Sequence, residues 1–361
     1  MSVSERIEWR SNLINRILVA LDGSKLAEQA LPAASGLAAA TACEIVLLTA
    51  IAPMERWANA DTPIWEEEEG ALAKGYLDTV ARPLRDDGLT VKTRLIWGRP
   101  SEMIRQAADE ENADLIVMTT HGRSGVARWL IGSVADNVLR TCHRPLLLLR
   151  AQDKAPTPLN VHNILVPLDG SRLAESGLAF VKALAQQLSA KVILERVIVP
   201  PSMLYAEQYL PSAAPVLEDL EADAREYLET ERERVEGDNI PVAVSVDDGF
   251  PIEAIITAAE RFSADLIVLT THGRTGPART ILSSVTDGLV RQSHRPCLVI
   301  PARAQVIHES ESHAPTVLGI EPPPTVIPPP AMTEVAAEKP PRAKAPAVRQ
   351  HRPEGETQHE M

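Results

Sequence analysis

The stretch ILVALDGSKLAEQAL, residues 17–31, runs from five apolar residues through Asp-Gly-Ser into a Leu/Ala pattern among charges. A short apolar run closed by a turn-forming triplet reads as a buried strand entering a helix. The reading is repeated 147 residues later, where ILVPLDGSRLAESGL occupies residues 164–178. Further along, DLIVMTTHGRSGVARWLIGS (114–133) has its counterpart in DLIVLTTHGRTGPARTILSS (265–284), and HRPLLLL (143–149) has its own in HRPCLVI (294–300). Preserved order with small drifts in spacing marks a duplicated domain whose length changes fall in loops.

Each copy alternates apolar runs with helical patterns. In the first copy the runs are 17–21, 44–51, 91–96, 115–119 and 146–149; in the second they are 164–168, 191–199, 242–246, 266–270 and 297–300. Runs of this length without polar alternation predict strands buried on both faces. The segment 216–235 carries Leu217, Leu220, Ala224 and Leu228 at helical spacing, a single apolar stripe. In the matching helix of the first copy, Pro83 predicts an end or a kink near Arg82. WEEEEG, residues 65–70, reads as a helix start whose carboxylates favour the dipole. Strand and helix in alternation give an α/β fold, a parallel sheet with right-handed crossovers and helices on both faces.

The boundaries follow from composition. Domain one spans 13–152, the Pro-containing joint 153–160 and domain two 161–303; the tail 304–361, with EPPPTVIPPP and no apolar period, reads as disordered. The chain has 361 residues, 45% of them hydrophobic, ample for two cores. A formal charge of −13 and an aromatic content of 3% argue against a nucleic-acid binder. Cys43, Cys142 and Cys297 are too scattered for a disulfide framework or a zinc site and read as packed thiols. With no apolar run near the ~20 residues of a membrane span and no secretory leader, the expected location is the cytoplasm.

In an open parallel sheet, ligands collect at the carboxyl ends of the strands. Asp22-Gly23-Ser24 ends the first run, Thr119-Thr120-His121-Gly122 the fourth, and Gly132-Ser133 precedes the helical pattern VADNVLRTC. Glycines there fit a sharp turn or a close phosphate, and free N–H groups at the helix start would supply the cradle. The plainer alternative makes the glycines turns, Ser133 a helix cap with Asp136 in a near capping box, and Asp22 a turn former. His121 and His272 lie in turns with no sequence-local acid or nucleophile to make a triad, His143 and His294 read as residues of the turn before the last strand, and no spacing suggests a metal site. Pro145 and Pro296 suit the first position of a strand.

On these motifs both copies resemble the universal stress protein family, over residues 15–303. Its nucleotide-binding members carry Gly, two residues, Gly, nine residues, Gly, then Ser or Thr. The first copy matches at Gly122, Gly132 and Ser133 and departs at the first glycine, where Thr119 stands. The resemblance implies two Rossmann-like, HUP-type doubly wound domains, each a five-stranded parallel sheet in the order 3-2-1-4-5. It implies ATP, accompanied by Mg, as ligand: Asp22 on the adenosine, Ala50 backbone at the base, Ala20 and Met118 lining the pocket, Val134 after the phosphate loop. The second copy would offer a weaker site of Pro167, Asp169, Val197, Leu269, Gly273, Ser283, Ser284 and Val285, since Ser283 and Thr270 replace glycines and Ser283 adds strain if φ there is positive.

The implied function is non-enzymatic: a stress-response protein that uses adenine-nucleotide occupancy as a regulatory signal to an unidentified protein partner. The alternatives are a nucleotide-independent scaffold and a slow ATPase or autophosphorylating protein. Universal stress proteins pair their fifth strands across dimers, so the resemblance implies that the two copies pair within one chain, with a homodimer as a further level of assembly.

Overall fold

A computed structural model describes residues 13–52, 62–120, 131–151, 157–200, 214–237, 239–271 and 284–302. The proline-rich tail lies outside them. The first half contains β1 (Arg16–Leu21), α1 (Lys25–Glu28), α2 (Ala30–Thr41), β2 (Glu44–Ile51), α3 (Thr62–Asp86), β3 (Val91–Trp97), α4 (Pro100–Glu110), β4 (Leu115–Thr119), α5 (Ser133–Thr141) and β5 (Leu146–Leu149). The second contains β6 (Asn163–Pro167), α6 (Arg172–Ser176), α7 (Leu178–Leu188), β7 (Lys191–Ile198), α8 (Ala214–Val235), β8 (Val242–Asp248), α9 (Pro251–Arg261), β9 (Leu266–Thr271), α10 (Ser284–Gln292) and β10 (Cys297–Pro301).

Within each half the strands are parallel and take the expected order 3-2-1-4-5. The two sheets are continuous. β5 and β10 pair antiparallel, with Leu148 opposite Cys297, Leu147 opposite Leu298 and Leu146 opposite Val299, giving one ten-stranded sheet. The apolar fifth strands, each an open edge on its own, close each other, which removes the hazard of an unpaired hydrophobic edge.

Side chains alternate between two apolar layers that both run through the seam. Ile17, Val19 and Leu21 point into the layer holding Leu37, Leu77, Leu184 and Leu228; Leu18 and Ala20 point into the one holding Ile104, Val138, Ile255 and Leu289. Period-two alternation on a sheet covered by helices on both faces produces this arrangement. The two outermost strands depart from it. Along β3 and β8 most residues are only half buried, because one side of each lacks a neighbouring strand.

The entry of each first strand is fixed the same way. The Asp114 carboxylate accepts from the backbone N–H of Asn15 (2.8 Å) and Arg16 (3.0 Å), and Asp265 does so for His162 (2.8 Å) and Asn163 (3.0 Å). Pro145 and Pro296 precede β5 and β10, where their carbonyls accept from Ile116 and Ile267. A proline there costs the ladder nothing, since only its carbonyl is used.

Three helix expectations need correction. α3 continues through Pro83 to Asp86, because the proline lies in the last turns, its carbonyl still accepts from Asp87, and Ala81 and Leu84 hold that end in the core. The same helix begins at Thr62, so the Glu66–Glu69 run follows the first turn instead of capping it. On α8, Ala224 and Leu228 are buried but Leu220 is 37% exposed, so the stripe covers the core only over its C-terminal half.

The joint between halves is more than a tether. Leu159 packs on the core, and its backbone lies against Gly36 of α2. Gln187 of α7 clamps the entry to β1: its Oε1 accepts from Ile14 N–H (3.0 Å) and its Nε2 donates to Ile14 C=O (3.1 Å). Ion pairs flank the seam, Asp136–Arg140 on α5 (2.9 Å) and Asp287–Arg291 on α10 (2.7 Å). Each arginine is held above its usual pKa first by its own aspartate, after which the other helix's aspartate adds a smaller contribution.

The three cysteines are free and buried. Burial raises all three thiols, Cys297 to about 12, so the nucleophilic thiolate is scarce at neutral pH. Native protein treated with iodoacetamide at pH 8 is expected to remain unmodified while unfolded protein takes up three groups; rapid native labelling would contradict this packing.

Candidate functional site

The carboxyl ends of β1 and β4 lie side by side, since these strands pair directly, and β2 flanks β1. Ala20 (8% exposed), Met118 (6%) and Thr119 (5%) line this end, and Ala50 is half buried at the end of β2. Ala20, Met118 and Val134 share one face of the sheet, the face carrying α4 and α5. The expected pocket residues are therefore brought together. Gly122 and His121 lie outside the described residues.

The helix start at α5 departs from the plain turn-and-cap reading. Its N-cap is Gly132, and among the described residues no side chain caps it; Ser133 is the first helical residue and is exposed, so it does not act as the cap. The Gly132 N–H donates to Thr120 C=O (2.7 Å), which ties the helix start to the end of β4, and Gly132 C=O accepts from Asp136 N–H (2.9 Å). The N–H groups of Ser133, Val134 and Ala135 thus precede the first intrahelical donor and face outward from the positive end of the dipole. Asp136 pairs with Arg140 in place of completing a capping box.

Gly132 has φ −60° and ψ 147°, which any L-residue adopts. Its glycine is not required by the backbone, so the remaining use for a missing Cβ is space. For the same reason the expected positive-φ penalty at Ser283, which lies outside the described residues with Gly273 and His272, finds no support in its counterpart.

Asp22 forms the local turn. Its Oδ1 accepts from Ser24 N–H (2.9 Å), and Ser24 Oγ accepts from Ala27 N–H (3.1 Å) to cap α1. Asp169 and Ser171 repeat both bonds at 2.9 Å and 3.2 Å. The plainer reading of Asp-Gly-Ser holds in both copies.

The second crevice brings Pro167, Val197 and Leu269 to the corresponding strand ends, with Ser284 and Val285 at the start of α10. Its β7 differs from β2 in a way the sequence reading passed over. KVILERVI places Glu195 and Arg196 where β2 has Leu48 and Thr49. Arg196 folds over the second turn, its Nη1 2.5 Å from where a Cβ on Gly170 would stand, and its guanidinium lies 4.9 Å from the Tyr227 ring centre. Two consecutive charges inside an apolar run were the available signal.

Among the described residues, no cluster of three His, Cys, Asp or Glu side chains could hold a metal, and no helix is long and apolar enough to cross a membrane. Comparison with known proteins agrees with this architecture. The sequence profile of the universal stress protein family matches twice, over residues 14–150 and 160–301. Universal stress protein MJ0531 of Methanocaldococcus jannaschii is 30% identical over 151 residues, covering 40% of this chain and 86% of that protein. Universal stress protein Rv2005c of Mycobacterium tuberculosis is 26% identical over 239 residues, covering 65% of this chain and 78% of its own length. A solved universal stress protein from Archaeoglobus fulgidus shares the fold with a TM-score of 0.60 at 22% identity, over 81% of this chain and 100% of that one. Two successive family matches on two copies of one strand order show that the chain belongs to the universal stress protein family, as a member with two domains in tandem.

Proposed function

We propose that the first domain binds an adenine nucleotide, ATP in the first instance, and that occupancy is the protein's regulatory output, with no chemistry performed on the ligand. The observation that carries this reading is the start of α5: three backbone donors at a helix end that no side chain among the described residues caps, tied to β4 beside the end of β1. A phosphate group fits that surface because the dipole and the N–H groups favour an anion and Gly132 presents no side chain. The small Ala20 and the apolar Met118 suit the flat, apolar body of a base, and Mg would travel with the phosphates. Domain boundaries at 13–152 and 161–303 belong to the same reading, as does a weaker second site.

Calorimetric titration with ATP tests it. About one site per chain is expected, and Gly132→Val should reduce affinity by at least tenfold while circular dichroism stays unchanged, since valine tolerates φ −60°. Undiminished binding by the folded variant would sink the reading and favour the scaffold. Asp22→Asn should weaken binding less, because the asparagine oxygen still accepts from Ser24 N–H and preserves the turn.

A further inference from the structure

Glu195 is fully buried (0% exposed), and among the described residues neither carboxyl oxygen has a hydrogen-bond partner. It stands on β7 opposite Pro167 of β6 and opposite Ser245 of β8. Asp247 lies two residues beyond Ser245 on the same face of β8. Asp247 is held by Arg261 of α9, whose Nη1 donates at 2.8 Å, while Arg261 Nη2 also donates to Ser245 Oγ at 2.8 Å. Arg196 turns to the opposite face of the sheet, over Tyr227.

The first domain carries Leu48 at the Glu195 position and Ile96 at the Asp247 position, both in the apolar layer. The ion pairing of the flanking helix is also inverted, with Arg94 of β3 bound to Glu110 of α4 and to Glu111 just beyond it, where Asp247 of β8 binds Arg261 of α9. An apolar pair in one domain is thus an acid pair in the other. Glu195 and Asp247 are diagonal neighbours on one face of paired strands; with one fully desolvated and the other already committed to a guanidinium, the pair favours a state in which one carries a proton, and a proton on Glu195 would give it a donor toward Asp247.

We propose that Glu195 and Asp247 form a proton-sharing latch that fastens β7 to β8 and α9 beneath the second crevice, and that loss of the proton to solvent base loosens the second domain alone. Burial first, and then Asp247, push the Glu195 carboxyl up to about 9, while Arg261 holds Asp247 below the usual carboxylate range. The sign follows. A carboxyl raised in the folded state binds its proton more tightly there than in the unfolded chain. Its contribution to stability is complete below the unfolded value near ~4.3 and declines as pH rises to about 9. The first domain, with Leu48, has no such dependence at this position.

Infrared spectroscopy of the full chain is the direct test. The carbonyl stretch of a protonated carboxylic acid should be present at neutral pH, should vanish as pH passes about 9, and should be missing from Glu195→Gln at neutral and alkaline pH, where the ordinary carboxyls are ionised. Hydrogen exchange of β7 and β8 amides, corrected for the intrinsic pH dependence of exchange, should accelerate at least tenfold as pH rises from about 5 to about 9 and level off above that in the wild type. It should not do so in Glu195→Gln or in Glu195→Leu, which restores the residue of the first domain. No acid band at neutral pH, a neutral-pH band that survives Glu195→Gln, or unchanged protection between about pH 5 and 9 would each overturn the latch.

Discussion

Leu147→Asp is expected to unfold the seam. Leu147 and Leu298 face each other across β5 and β10, exposed by 1% and 2%, in the ladder that the two domains share. Truncation alone, Leu147→Ala, should cost ~2–5 kcal/mol through lost burial and an unfilled cavity, and an unpaired carboxylate there costs more. Urea denaturation followed by circular dichroism measures this, and a midpoint unchanged from the wild type would mean that the two domains do not lean on the pairing. Leu148→Cys gives the gentler counterpart. It places a thiol in register with Cys297, so mild oxidation should link the fifth strands within one chain and yield a faster-migrating monomer on a non-reducing gel. Links only between chains would instead indicate exchange of strands between molecules.

Gly36→Ala is the second large effect, and its sign is informative. In the middle of a helix, glycine to alanine ordinarily gains ~1 kcal/mol. Here a Cβ would stand 2.5 Å from Leu159 O and 2.7 Å from Leu159 N, backbone atoms that cannot swing aside. Overpacking of this kind costs ~1–3 kcal/mol, so the gain should be cancelled or reversed for alanine. For Gly36→Val, bulkier and β-branched, a net loss of about 3 kcal/mol is expected, again by urea denaturation. A stabilised alanine variant would show that residues 157–160 can lift off α2, as the sequence reading of a simple joint implies.

The strands were legible because burial on both faces leaves little freedom of composition: 44–51, 115–119 and 146–149 were read with the bounds the structure gives. Pairing of the fifth strands was not legible in composition or spacing and came only with the family resemblance. The site was legible by residue type but not by role. Gly132 proved free of any backbone need for glycine and Ser133 stood inside the helix it was assigned to cap, because a cap is decided by where the first intrahelical bond forms. Glu195 was missed for a physical reason. Apolar residues flanking the Glu195-Arg196 pair marked the strand as buried, and the compensating aspartate arrives from β8, more than fifty residues away in sequence.

The seam also bears on what evolution can do with the two crevices. In a pair of identical chains every substitution appears twice, and the pairing weakens as the protein is diluted. Joined in one polypeptide, the fifth strands meet at an effective concentration of the order of millimolar whatever the amount of protein in the cell. Each half is then free to change alone. One crevice can change while its twin stays as it is, as Leu48 and Glu195 differ at matching places, so a single gene carries two versions of one fold that vary independently.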